Sequence, residues 1–183
     1  MPRIVRDTHV YYSNLKWKNQ KNVFADEIDK KKFLDIVALV RRKIDFRIFA
    51  YCITDTEVHM VISTQNGRVF TKVLKEVTRE FSRYYNQNAG YRLQNRICGY
   101  FESEEIEGWV NVFKYCGKIH LIPVACHTVK NLGDYWWCSY NDYIGRYKSG
   151  IIDTEVWMNY LDDDLDTALF KFKGYHRREC RQI

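Results

Sequence analysis

Residues 45–63 read DFRIFAYCITDTEVHMVIS. Two runs rich in β-forming residues, 45–53 and 57–63, flank the short polar turn Thr54-Asp55-Thr56, the pattern of two antiparallel strands joined by a tight connection. Side chains alternate along a strand, so Val58, Met60 and Ile62 share one face while Glu57, His59 and Val61 share the other. Upstream, the stretch DEIDKKKFLDIVALVRRK opens on Asp26, a residue type that caps helices. Phe33, Ile36, Val37, Val40 and Ile44 then recur at helical spacing. Lys30, Lys31, Arg41 and Arg42 fall on the opposite face. Downstream, Val73, Val77, Phe81 and Tyr84 mark a second long helix over about 69–87.

Further from this centre, THVYYSNL (8–15) reads as a first strand, 16–22 as a polar loop and 88–103 as irregular. A third helix is expected from about Glu104 to Leu121, stopped by Pro123, and a last one near 153–173. The order β-α-β-β-α, then α, predicts an α+β domain: an antiparallel sheet with helices packed on one side. The main domain is expected over 1–147 and a helical extension with a basic tail over 148–183.

Composition bounds the function. The chain has 183 residues, 46% of them hydrophobic and 16% aromatic, which suits one folded domain and excludes extensive disorder. No apolar run reaches the roughly 18 residues of a membrane span, and MPRIVRDTHVYY is not a signal peptide, so a cytoplasmic protein without membrane contact is expected. Six cysteines without a CxxC pair read as free thiols. A P-loop, a GxGxxG turn and a Ser-His-Asp spacing are all absent. The formal charge of +6 is compatible with a polyanionic partner.

Three groups of residues carry possible chemistry. Glu57 and His59 project side by side from one strand, and carboxylate plus imidazole suits Mg²⁺ or Mn²⁺; the same pair also reads as a polar couple on a half-buried face. Tyr115 and Lys118 lie one turn apart on the third helix, with Ile122 on the same stripe. A tyrosine so placed serves as a nucleophile beside a cation, or packs its ring while the lysine snorkels. Lys16, Trp17, Lys18 and Lys21 form a basic, aromatic stretch. With Arg41 and Arg42 they are candidates for phosphate contact, and Trp17 and Tyr91 for stacking on unpaired bases.

These segments together resemble a known family. The opening MPR, the strand containing THV, the helix with KFLDIV and then FAYCITDTEVHMVIS are similar to the bacterial single-tyrosine transposases of the HUH endonuclease group. The REP-associated branch is the nearer likeness, where the equivalent stretch reads roughly AYCLMPNHVHLL. FSRYYNQNAGY (81–91) resembles that branch's helix ending, IHLIPV (119–124) its IHLNPV, and WWCSYNDYIG (136–145) its WSSYNEYIG. The tail IIDTEVWMNYLDDDLDTALFKF also looks like that of many members, so the likeness covers residues 1 to about 173.

The resemblance implies a ferredoxin-like sheet, a dimer, and DNA as partner, single-stranded or folded into a hairpin. It also implies a cation held by a His-hydrophobic-His element, and a helix tyrosine that becomes linked to the 5′ end. Position by position this chain departs: Glu57 stands for the first histidine, Lys118 for the tyrosine and Ile122 for the asparagine. CGYF (98–101) stands where the family reads FQxRY. The expectation is therefore a domesticated DNA-binding descendant with lost or altered nuclease activity. The alternative is an active Mg²⁺- or Mn²⁺-dependent transposase, with Tyr115 as nucleophile, Lys118 beside it, and Glu57 and His59 on the metal.

Overall fold

The computed structural model describes residues 8–19, 22–88 and 96–183. Among these, the chain runs through β1 (His9–Lys18), α1 (Glu27–Arg41), β2 (Arg47–Ile53), β3 (Glu57–Thr64), α2 (Gly67–Asn88) and β4 (Cys98–Glu105). It continues through α3 (Trp109–Ala125), α4 (Tyr140–Tyr143), α5 (Glu155–Leu161) and α6 (Leu165–Cys180). The strands form one antiparallel sheet in the order β2-β3-β1-β4. This is the ferredoxin-like α+β arrangement.

Alternation sorts the strand residues into two cores. Tyr11, Leu15 and Trp17 of β1 join Ile48, Tyr51, Ile53, Met60 and Ile62 in a core closed by α1 and α2. Val10, Phe49, Ala50, Cys52 and Val61 face the other way, under α3 and the C-terminal helices. Helices thus cover both faces of the sheet, where the expectation placed them on one. The reason lies in β2 and β3, which are buried along nearly their whole length and need cover above and below. The β2–β3 register shifts between Ile48 and Ala50, a bulge that turns both Phe49 and Ala50 toward the second core.

Local chemistry explains the element ends. Asp26 Oδ1 accepts the Ile28 N–H at 2.8 Å, the cap that the sequence predicts for α1. Strand β1 runs on to Lys18, so residues 16–18 of the stretch expected as a loop are strand. Residues 98–103, expected as irregular, form with Glu104 and Glu105, expected as helix, the edge strand β4. Its CGYFESEE lacks an apolar alternation because most of its side chains are exposed, as edge strands allow. Helix α3 starts only at Trp109, because Glu104 and Glu105 remain in β4, and it runs past Pro123 to Ala125. A proline in the last turn removes a single helix bond, and its carbonyl accepts from the Thr128 and Val129 N–H groups. The cysteines are free, with Cys52, Cys116 and Cys138 buried.

Strand β4 lies close on α2 at Gly99. A Cβ there would stand 2.7 Å from Thr78 Cβ and 2.9 Å from Trp17 Nε1. The Gly99 and Trp17 N–H groups both donate to Ser82 Oγ, at 3.2 and 3.1 Å. Gly99→Ala is expected to lower unfolding stability by about 2 kcal/mol through overpacking, read as a drop in the urea midpoint.

The C-terminal helices are fastened to α3 by two buried imidazoles. His176 Nδ1–H donates to the Phe172 carbonyl at 2.9 Å, which leaves its Nε2 to accept from His120 Nδ1–H at 2.9 Å. His120 Nε2 meets Ser139 Oγ, also at 2.9 Å. Both rings are essentially inaccessible, and burial holds both well on the neutral side.

Candidate functional site

The face of the sheet under α3 is apolar over β2 and polar toward β4. Register explains which polar groups meet. Asn14 pairs with His59 on one side and Glu102 on the other; Tyr12 pairs with Glu104; Lys16 lies between Glu57 and Tyr100. All are on one face, because Tyr12, Asn14 and Lys16 are two residues apart on β1. The turn before β3 sets Glu57 in place. Thr54 Oγ1 accepts the Glu57 N–H at 3.1 Å, and Lys30 of α1 ties the same turn down through Asp55 at 2.7 Å.

From Glu57 a continuous chain of contacts runs to α3. Its Oε1 lies 3.0 Å from His59 Nε2, and its Oε2 accepts from Asn14 Nδ2 at 3.0 Å. His59 Nδ1 accepts from the Tyr12 hydroxyl at 2.8 Å. The Tyr12 ring packs on that of Tyr115, centroids 5.5 Å apart, and the Tyr115 hydroxyl donates to Glu104 Oε1 at 2.8 Å. Lys118 Nζ stands 5.3 Å from the Tyr115 ring centre, exposed on the next turn of the helix.

Electrostatics follow from these neighbours. Burial lowers the His59 pKa, against the opposing pull of Glu57, so at neutral pH the imidazole is uncharged, the form that binds metals. The bond to Glu104, then burial, raises the Tyr115 pKa; burial and the Glu57 and Glu104 carboxylates raise that of Tyr12. Both phenols hold their protons at pH 7.

Carboxylate and neutral imidazole are a donor set for Mg²⁺ or Mn²⁺. At 3.0 Å, His59 Nε2–H donates to Glu57 Oε1, and a bound ion would take the place of that proton. Among the described residues no cluster of three His, Cys, Asp or Glu could hold a metal. Ile122, in the position where the resemblance implies an amide, supplies no donor.

Beyond Glu57 a cleft of about 860 Å³ opens at the end of the sheet, lined by Lys16, Asn19, Thr56, Glu57 and Tyr100 among others. Lys16 pairs with Glu102 at 2.8 Å, and Lys18 Nζ stands 5.5 Å from the Tyr100 ring centre.

The other nucleic-acid candidates are placed differently. Trp17 is not an exposed stacking residue: the alternation of β1 sends its ring into the opposite core, 6% exposed. Arg41 ends α1 and Arg42 caps it, across the sheet from Glu57, and the Arg41 guanidinium is engaged by Asp153 Oδ2 at 2.7 Å and the Ile151 carbonyl at 2.9 Å. Lys21 and Tyr91 lie outside the described residues.

Sequence reasoning does not single out Tyr12, Asn14 or Glu104. Alternation along β1 is the available signal for the first two; Glu104 is hidden because β4 does not look like a strand. Exposed Arg68, Lys72 and Lys75 on α2 escape it too, and among the described residues no carboxylate pairs with them. No helix among the described residues is long and apolar enough to cross a membrane.

Comparison with known proteins agrees with this geometry. The family model described as "Transposase IS200 like" matches residues 8–102, more than half of the chain. A solved REP-associated tyrosine transposase bound to a REP hairpin is similar in fold, with a TM-score of 0.61 over 80% of this chain and 83% of that one, at 16% sequence identity. Among curated proteins none matches. The chain, carrying this sheet and this polar face, belongs to the IS200-like transposase family.

Proposed function

We propose that this protein binds single-stranded or hairpin DNA across the Glu57–His59 face and cleaves one strand by metal-assisted transesterification, with Tyr115 as nucleophile. One observation carries the reading. Tyr115 already lies on that face, its ring packed on Tyr12, whose hydroxyl bonds to His59. Its hydroxyl points to Glu104 on β4, with the Tyr12 ring between it and His59. The partner class is supported by the solved relative, which holds a REP hairpin.

Glu57 and His59 would hold the divalent ion, which when bound draws electron density from a phosphate oxygen. Tyr115 Oη attacks phosphorus, and Glu104 Oε1, already its hydrogen-bond acceptor, takes the phenol proton. The P–O3′ bond breaks, the 3′ oxygen leaves and is protonated by water, and the 5′ phosphate remains on the tyrosine. Lys118 sets a positive charge beside the reacting oxygens. Lys16, Lys18 and Tyr100 offer phosphate and base contacts to a strand leaving through the adjacent cleft. If the protein dimerises through a sheet edge, β4 is the candidate: the outer side of β2 is closed by residues 137–139.

The test is a denaturing gel of protein incubated with Mn²⁺ and a 3′-labelled hairpin oligonucleotide. A labelled covalent adduct is expected. A second reading, DNA binding without cleavage, is favoured by the raised pKa of Tyr115; it predicts a gel shift that never yields an adduct. Glu104→Gln separates roles within the first reading. It keeps a hydrogen-bond acceptor but removes the base, so single-turnover cleavage at pH 7 is expected to slow about 100-fold and to recover as pH rises toward the phenol's own ionisation.

A further inference from the structure

We propose that Asn14 is the third protein ligand of the cation held by Glu57 and His59, an inference that rests on the metal-dependent reading above. Asn14 stands directly opposite His59 in the β1–β3 register and on the same face. It is 8% exposed, and its amide nitrogen lies 3.0 Å from Glu57 Oε2. Its carbonyl oxygen is buried with no hydrogen-bond partner among the described residues. Such an orphan is costly, and it sits in the side chain that already touches Glu57.

The chemistry of the amide accounts for this arrangement. Without an ion, the Asn14 oxygen cannot face the Glu57 carboxylate, because two partial negative charges would meet; the NH₂ faces it instead, and the oxygen is left unpaired. A cation between Glu57 and His59 reverses that preference. A half-turn about the Cβ–Cγ bond then exchanges nitrogen for oxygen and presents a hard, neutral donor of the type Mg²⁺ and Mn²⁺ accept. The third donor would come from the sheet, because Ile122 on α3 has none to give and no third His, Cys, Asp or Glu completes a cluster among the described residues.

The test is Mn²⁺ binding to the full chain without DNA, followed by electron paramagnetic resonance of free Mn²⁺. Circular dichroism in EDTA shows whether each variant is folded. Wild type is expected to bind, and Asn14→Ala to bind about 10- to 100-fold more weakly, the range lost when a group supporting a metal is removed. Asn14→Asp, the same shape with a full charge, is expected to bind more tightly than wild type. It carries the test alone if the alanine variant does not fold. Should Glu57→Ala abolish binding while folded Asn14→Ala binds as wild type does, Asn14 is no ligand and the metal reading stands. Asn14 is equally excluded if Asn14→Asp binds no better than wild type. Absence of any Mn²⁺ uptake by the wild type overturns both.

Discussion

In the Tyr115→Phe variant the covalent protein–DNA adduct is expected to vanish, with cleavage falling by more than about 10⁴-fold, as when a covalent nucleophile is removed elsewhere. The substitution is nearly silent for the fold. The ring that packs on Tyr12 at 5.5 Å is retained, and among the described residues the bond lost is the one to Glu104 at 2.8 Å. Hairpin binding, measured by gel shift, should therefore stay within a few-fold of wild type while the adduct band disappears. Tyr12→Phe is the informative companion. Its hydroxyl also lies at the site, 2.8 Å from His59 Nδ1, but on the rigid sheet and without a carboxylate acceptor. If the adduct survives in Tyr115→Phe and is lost in Tyr12→Phe, the nucleophile is the strand tyrosine.

Mild acid is expected to loosen the protein through its C-terminal helices. In the unfolded chain a histidine titrates near 6.5, whereas burial holds His176 at about 4 in the fold and His120 lower than its ordinary value too. Between these limits the unfolded state binds the proton and the folded state does not, so stability falls as pH drops from about 6.5 to 4. For His176 alone the loss is about 3 kcal/mol. The geometry explains why no proton is accepted. The Phe172 carbonyl already takes the Nδ1 hydrogen, and a second proton on Nε2 would point at the His120 N–H. His176→Gln keeps an acceptor for His120 and removes the titrating ring. Urea unfolding at pH 7, 6, 5 and 4.5 should show a shallower decline for this variant, and coincident curves would exclude His176 as a cause.

How far the fold is legible in the sequence differs by element. Helices α1 and α2 and the β2–β3 hairpin are readable because each satisfies its own periodicity over many residues, and Asp26 marks the start of α1 chemically. Strand β4 is not, since an edge strand with exposed glutamates has no apolar alternation to detect. The cover on the second face is not readable either, because hydrophobicity along β2 and β3 shows that both faces are buried without showing by what. The same limits govern the site. Glu57 and His59 stand together for a local reason, two residues apart on one strand. Tyr12, Asn14 and Glu104 reach them only through pairing with β1 and β4.

Sequence alone determined the βαββα core, the Glu57–His59 pair and, through its ordered motifs, the family, because all of these are written in local spacing. Tertiary structure decided that Trp17 belongs to the core and that Arg41 serves Asp153. It also decided that Tyr115 packs on Tyr12 and donates to Glu104 on β4, two strands from the carboxylate–imidazole pair on β3. Those outcomes depend on strand register and on which way a helix is rolled against the sheet. Both are set by packing between residues far apart in the chain, which no local pattern records.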